Sequence, residues 1–220
     1  MNERTFDAEL GFLKEKVLKM GCLASGAIFD SVEALKARDE ALSLKVIDGD
    51  SHIDAMELEI NDNCIELIAR WQPVAVDLRF ITTAINIATD LERIGDLSVD
   101  VAQKNLELVK EPLLKPLIDI PKLSEVAKSM ICEVLNAYVD RDAVKARGLR
   151  KLEKESDILR DLITDELTGI MMKDGSSIPR AVPLLLIARF LERICDHAMN
   201  IAEDVVYMSE GHVIKHRRGA

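Results

Sequence analysis

Glu92 and Asp96 stand four residues apart, as do Glu192 and Asp196, and each pair falls inside the same short phrase, Leu-Glu-Arg-Ile-X-Asp, at 91–96 and 191–196. In a helix that spacing sets the two carboxylates one turn apart on one face. Like charges so placed destabilise a helix by about 0.2–0.5 kcal/mol, a cost with no structural return. A second set, Asp50 with Asp54 and Glu153 with Asp157, repeats the spacing. A chain with 39 Asp and Glu produces such pairs on solvated faces without any function. Their recurrence in two halves of the chain favours a shared task. Clustered carboxylates without His or Cys among them are hard oxygen donors, suited to Mg²⁺, Mn²⁺, Ca²⁺ or iron with water completing the coordination.

Other chemistry finds no foothold. There is no Gly-rich phosphate loop, no nucleophile elbow and no Cys with an obvious partner. None of the four histidines has Glu three residues before it, as a ferritin-like carboxylate oxidase would require. His52 and His197 adjoin the acidic pairs at a different helical angle and read as supporting groups or as ordinary surface residues. Arg93 and Arg193 read as partners in surface ion pairs, with an anion contact as the second choice.

The carboxylates need helices to hold them. Helical periodicity runs from about Phe6 to Ala37, from Glu40 to Arg70 and, after Pro73, to Glu107. Arg38-Asp39 and Trp71-Gln72-Pro73 are the breaks, with Asp39 placed to cap the helix that follows it. A stiff, partly packed linker carries Pro112, Pro116 and Pro121. Three more helical stretches follow, at about Lys122–Val139, Ala143–Met172 and Arg180–Glu210. The halves also match in sequence. Residues 20–54 align without a gap on 123–157, an offset of 103 that pairs Arg38-Asp39 with Arg141-Asp142 and Asp54 with Asp157; in the third helix of each half the offset is 100.

Helices of roughly 30 residues, each about 45 Å long, can hide their apolar stripes only against one another. The expected fold is therefore all-α: two tandem three-helix bundles, residues 1–110 and 119–210, six long helices in an internal duplication. Ala84, Ile87, Ala88, Leu91, Ile94, Gly95, Ser98, Val101 and Ala102 form one core face, and Leu184, Ile187, Ala188, Leu191, Ile194, Cys195, Ala198, Ile201 and Ala202 repeat it. Gly95 then serves close helix packing and Cys195 is core. Measured from that stripe, the acidic pairs point outward.

Composition agrees with this. Apolar side chains make up 48% and aromatics only 4%, with 10 Gly and 6 Pro, which favours helix over strand. A net charge of −10 argues against nucleic acid as partner, although Lys215-His216-Arg217-Arg218 form a small basic tail. Acidic residues interrupt the N-terminal segment at once and the longest apolar run, Ala181–Ala188, is far short of the roughly 20 residues a membrane span needs, so neither a leader nor a transmembrane segment is expected. Four scattered cysteines suggest small buried hydrophobes in a reducing, cytoplasmic setting.

The stretch Gln72-Pro73-Val74-Ala75-Val76-Asp77-Leu78-Arg79, then Asp90-Leu91-Glu92-Arg93-Ile94-Gly95-Asp96, resembles the first-repeat signature of the PhoU phosphate-signalling regulators. Leu191-Glu192-Arg193-Ile194-Cys195-Asp196-His197-Ala198-Met199-Asn200-Ile201-Ala202-Glu203 resembles the second, with Cys195 where the family commonly has Gly. The resemblance spans nearly the whole chain. It implies a non-enzymatic cytoplasmic protein, peripheral at the inner membrane through its partners. Its implied task is negative regulation of phosphate uptake and of the phosphate-starvation response, through the transporter ATPase subunit and a membrane sensor histidine kinase, as a homodimer. It also implies metal clusters on acidic pairs, here Asp50, Asp54, Glu92, Asp96, Glu153, Asp157, Glu192 and Asp196, with iron, Mn, Mg or Zn as the ions left open. The competing readings are a helical metal-storage protein or carboxylate-bridged metalloenzyme, and a plain scaffold whose acidic faces bind basic partners.

Overall fold

The computed structural model describes residues 2–211, so the basic tail lies outside the described residues. The first half holds α1 (Asn2–Ala37), α2 (Glu40–Trp71) and α3 (Ala75–Leu108); the second holds α4 (Asp119–Asp140), α5 (Ala143–Gly148), α6 (Arg150–Lys173) and α7 (Ile178–Glu210), the last preceded by a 3₁₀ turn at Gly175–Ser177. No strand occurs among the described residues. The long helix expected over 143–172 divides at Leu149, which keeps helical dihedrals (φ −61°, ψ −20°) while its N–H bonds to the Ala146 carbonyl three residues back. Its side chain is fully buried, so α5 and α6 together play the part that α2 plays alone.

The first helix of each half turns into the second by the same device. Arg38 and Arg141 adopt left-handed backbone (φ 57° and 54°), and the next residue, Asp39 or Asp142, caps the new helix. Asp39 accepts from the Leu42 N–H, and Asp142 from those of Val144 and Lys145. Such caps are worth about 1 kcal/mol each. At the second break Gln72 is left-handed (φ 48°) and its N–H closes on the Ile68 carbonyl.

All eighteen core positions expected on α3 and α7 are buried. The two bundles do not keep separate cores: one cluster runs from Leu10 to Met208. α3 packs on α7 and α1 on α4, besides the packing within each half. The α3–α7 pair is antiparallel, since Arg79 near the start of α3 donates from Nε to the Met208 carbonyl near the end of α7, while His197 and Asn200 meet Asp90 at mid-length. Phe80 of α3 stacks on Tyr138 of α4, ring centroids 4.7 Å apart, which closes the same seam. The linker is anchored: Arg38 Nη2 donates to the carbonyls of Leu108, Val109 and Glu111, satisfying the exposed end of α3, and Leu114 and Leu117 rest on the core.

Candidate metal centres in the two repeats

In the first repeat α3 carries Glu92 and Asp96, and α2 brings Asp50 and Asp54 against them. The close approach of α2 depends on Gly95. A Cβ there would lie 2.7 Å from Asp50 Oδ1 and 3.0 Å from Ile53 Cδ1. Gly95 thus lets the Asp50 carboxylate and the Ile53 side chain lie directly on the α3 backbone. The equivalent places in the second repeat hold Ser156 opposite Cys195, a smaller residue on α6 matched by a larger one on α7. Cys195 is buried and its thiol is pushed up to about 12 by that burial, which makes it core and not nucleophile.

Of the acidic pairs expected to point outward, Asp96 and Asp196 do so, half-exposed and exposed, but the two glutamates do not. The Glu92 side chain is only 19% exposed, and Glu192 as a residue only 5%. Each lies at the edge of its core stripe, where the neighbouring middle helix covers it. Burial pushes the carboxyl of Asp50 up to about 6, helped by the charges of Asp54 and Asp96. It raises Glu92 as well, with Asp96 adding to it and Arg93 opposing. Asp100, one turn further along α3, is raised by burial and by Asp96. In the second repeat burial likewise raises Glu153, Glu192 and Asp196.

Charge compensation differs between the repeats. In the first, Arg93 is the nearby cation, 3.1 Å from Asp96 and 3.4 Å from Glu92 Oε2. The second contact lacks hydrogen-bond geometry, so among the described residues the buried Glu92 Oε2 accepts no hydrogen bond. In the second repeat both Glu192 oxygens are taken. Arg160 Nη1 donates to Oε1 at 2.8 Å and Arg189 Nη1 to Oε2 at 2.5 Å, while Arg160 also sits 3.2 Å from Asp157. Under the offsets of 103 and 100, Arg160 stands where the first repeat has Glu57, and Arg189 where it has Thr89. Thr89 Oγ1 donates to Glu57 Oε1 at 3.0 Å, so the first repeat joins these two positions to each other, whereas the second turns both onto Glu192.

The remaining sequence expectations fall as follows. His197 bonds through Nδ1 to Asp90 at 2.8 Å across the repeats, whereas His52 meets the Gly49 carbonyl on its own helix. Arg93 forms the expected ion pair; Arg193 is exposed, its charge felt by Asp100. Cys64 and Cys195 are buried as expected, but Cys22 and Cys132 are exposed, lining a groove between α1 and α4. Arg160 and Arg189 were not singled out by sequence.

Against known proteins, the PhoU domain model matches residues 17–104 and again 120–205, one match in each helical half. The chain belongs to the PhoU family. It is 39% identical to the phosphate-specific transport system accessory protein PhoU homolog of Rhizobium meliloti (strain 1021), over 94% of this chain and 87% of that protein. Its fold is similar to that of PhoU from Pseudomonas aeruginosa, with TM-score 0.89 and 35% identity over 94% of this chain and all of that one. It is also similar to the phosphate transport system regulatory protein PhoU from Streptococcus pneumoniae, with TM-score 0.88 and 29% identity over 95% and 99% of the two chains. Both PhoU repeats carry the acidic quartet at equivalent positions, and among the described residues no helix is long and apolar enough to cross a membrane.

Proposed function

We propose that this protein is a regulator of phosphate homeostasis that restrains phosphate uptake and the phosphate-starvation response. It acts by binding and not by catalysis, as a cytoplasmic, dimeric adaptor between the transporter ATPase subunit and the membrane sensor histidine kinase. The observation that carries this reading is whole-chain membership, in both repeats, of a family whose relatives bear the names of phosphate-transport accessory and regulatory proteins.

Metal on the acidic quartets is part of the proposal. The first repeat suits a hard cation: Asp50, Asp54, Glu92 and Asp96 are partly buried or mutually repelling, and a buried oxygen of Glu92 has no donor. Among the described residues no three such side chains are gathered at ligating distance, so a cation would draw the carboxylates inward. In the second repeat Glu153, Asp157, Glu192 and Asp196 would serve. Bound iron, Mn, Mg or Zn would supply positive charge where four carboxylates otherwise repel, clamping α2 to α3 and α6 to α7. The clamp would bias which docking surface partners meet.

Deletion of the gene is expected to leave phosphate-starvation genes expressed in high phosphate. The intact chain restores repression; a chain ended before Pro121 does not, because it supplies one repeat and half of the seam. Normal repression in the deletion strain overturns the regulator reading. Elemental analysis of the Asp96→Asn, Asp196→Asn double variant tests the metal separately: full metal content in that variant removes these carboxylates from the site.

A further inference from the structure

The two PhoU repeats place opposite charges at one position beside their acidic quartets. In the first, Glu57 adds a carboxylate whose charge acts on Glu92. In the second, Arg160 donates to Glu192 at 2.8 Å and approaches Asp157 to 3.2 Å, and Arg189 takes the other Glu192 oxygen at 2.5 Å. Glu192 is the most deeply buried carboxylate of either quartet, and its two guanidinium partners reach it from different helices, α6 and α7. Guanidinium is a permanent cation whose fork holds a carboxylate firmly. It fills the role of a metal ion without being one.

We infer that Arg160 and Arg189 are a built-in cationic gate on the second repeat, so that the two halves take up hard cations unequally, the first repeat freely and the second only when these two arginines are displaced. This rests on the metal reading of the quartets and adds to it an order of filling. A cation entering the first repeat meets carboxylates that repel one another, an oxygen with no donor among the described residues and one arginine, Arg93, whose exposed head can swing into solvent, so binding relieves a cost already present. Entry at the second must break two charge-assisted hydrogen bonds that are partly shielded from water, and the arginine heads must find new partners or solvent. The first repeat would then be filled under ordinary conditions, and the second would respond only to a higher cation level. One chain thereby offers a structural site and a sensing site on the same scaffold.

Titration of the chelator-stripped full chain with Mn²⁺ by calorimetry tests this. Asp96→Asn and Asp196→Asn identify which binding phase belongs to which repeat. The phase lost in Asp96→Asn is expected to be at least ~10-fold tighter than the phase lost in Asp196→Asn, since ~10-fold corresponds to about 1.4 kcal/mol, within the strength of one charged hydrogen bond. Arg160→Gln with Arg189→Gln should tighten the second-repeat phase by ~10-fold or more and leave the first unchanged. Because that variant strands the buried Glu192 and can fail to fold, Glu57→Arg is the companion. It brings the arginine to the first repeat on a partly exposed position and should weaken the first-repeat phase by a similar factor, with helicity preserved by circular dichroism. Two phases of equal affinity, or a first-repeat phase indifferent to Glu57→Arg, overturn the gate while leaving the metal reading standing. No Mn²⁺ binding in either repeat overturns both.

Discussion

The acidic quartets of the two repeats sit at the same places on corresponding helices, yet they are solved differently. In the first, Gly95 admits Asp50 and Ile53 to the α3 backbone and the carboxylates repel one another with only the exposed Arg93 beside them among the described residues. In the second, Ser156 and Cys195 fill the space that Ile53 and Gly95 fill, and Arg160 and Arg189 hold Glu192. Packing has been kept by exchanging a large and a small residue across the helix pair, whereas charge has been reversed outright at Glu57 and Arg160. The duplicated turns keep one backbone device, a left-handed arginine followed by a capping aspartate. Geometry that fixes the fold tolerates little change. Charge at its edge is free to take on different work.

The largest expected effect tests the packing half of that contrast. Gly95→Val should cost about 3 kcal/mol in denaturant unfolding, because its Cβ would push aside the ends of two side chains, Asp50 Oδ1 at 2.7 Å and the buried Ile53 Cδ1 at 3.0 Å, and its γ-methyls need further room. Cys195→Ala should cost only about 1 kcal/mol, the loss of a small buried group. Adding Ile53→Ser to Gly95→Cys recreates the pairing of the second repeat and should recover part of the loss in a double-mutant cycle. Strict additivity of those two changes would show that the exchange across the helices is accidental.

A difference in sign comes next. Without metal, Arg160→Met should destabilise by about 1.5–3 kcal/mol, because it takes one charged hydrogen bond from the buried Glu192 and leaves it Arg189 alone of the two arginines. Glu92→Gln in the first repeat should be neutral or stabilising by up to about 1 kcal/mol, since it removes one of several repelling charges. If both substitutions destabilise alike, the charge balance of the repeats does not differ as described.

The smallest effect is on pH dependence. Asp50 is pushed up to about 6 when folded, against about 3.9 in an unfolded chain. Between those values the folded state holds a proton that the unfolded chain releases, so stability rises as pH falls from 7 towards 4, and the gain is absent above about pH 6. Glu92, Asp100, Glu153, Glu192 and Asp196 shift in the same direction. The metal-free chain should therefore be more stable at pH 5 than at pH 7, by about 1 kcal/mol from Asp50 alone, and Asp50→Asn should flatten the curve. A thermal melt in which Tm falls over that interval would contradict the shift.

Much of this was legible in the sequence. Apolar spacing marked the core faces of α3 and α7 because a helix buries one stripe and nothing else about it need be known. The offsets of 103 and 100 located the quartets and both capping aspartates. The outward direction assigned to Glu92 and Glu192 failed because a single helix cannot reveal how far its neighbour overlaps the edge of the stripe, and Gly95 brings that neighbour unusually near. The division at Leu149 leaves no signal in the periodicity, since the residue keeps helical dihedrals and a buried side chain. The contrast at Glu57 and Arg160 is silent in the sequence for a different reason: a repeat shows itself through the residues its halves share, and these two differ.

The antiparallel seam has a consequence for where the molecule can be divided. The chain is thinnest between Lys110 and Ile118, and a protease or a genetic engineer would choose to cut it there. The protein is not thin at that point. Arg79 of the first half reaches the last turn of α7, Phe80 lies on Tyr138, and the apolar core passes from one half to the other without a boundary. The linker joins the two halves in covalent terms only; their mutual surface is what joins them in thermodynamic terms, much as an obligate dimer is joined whose subunits happen to share one backbone.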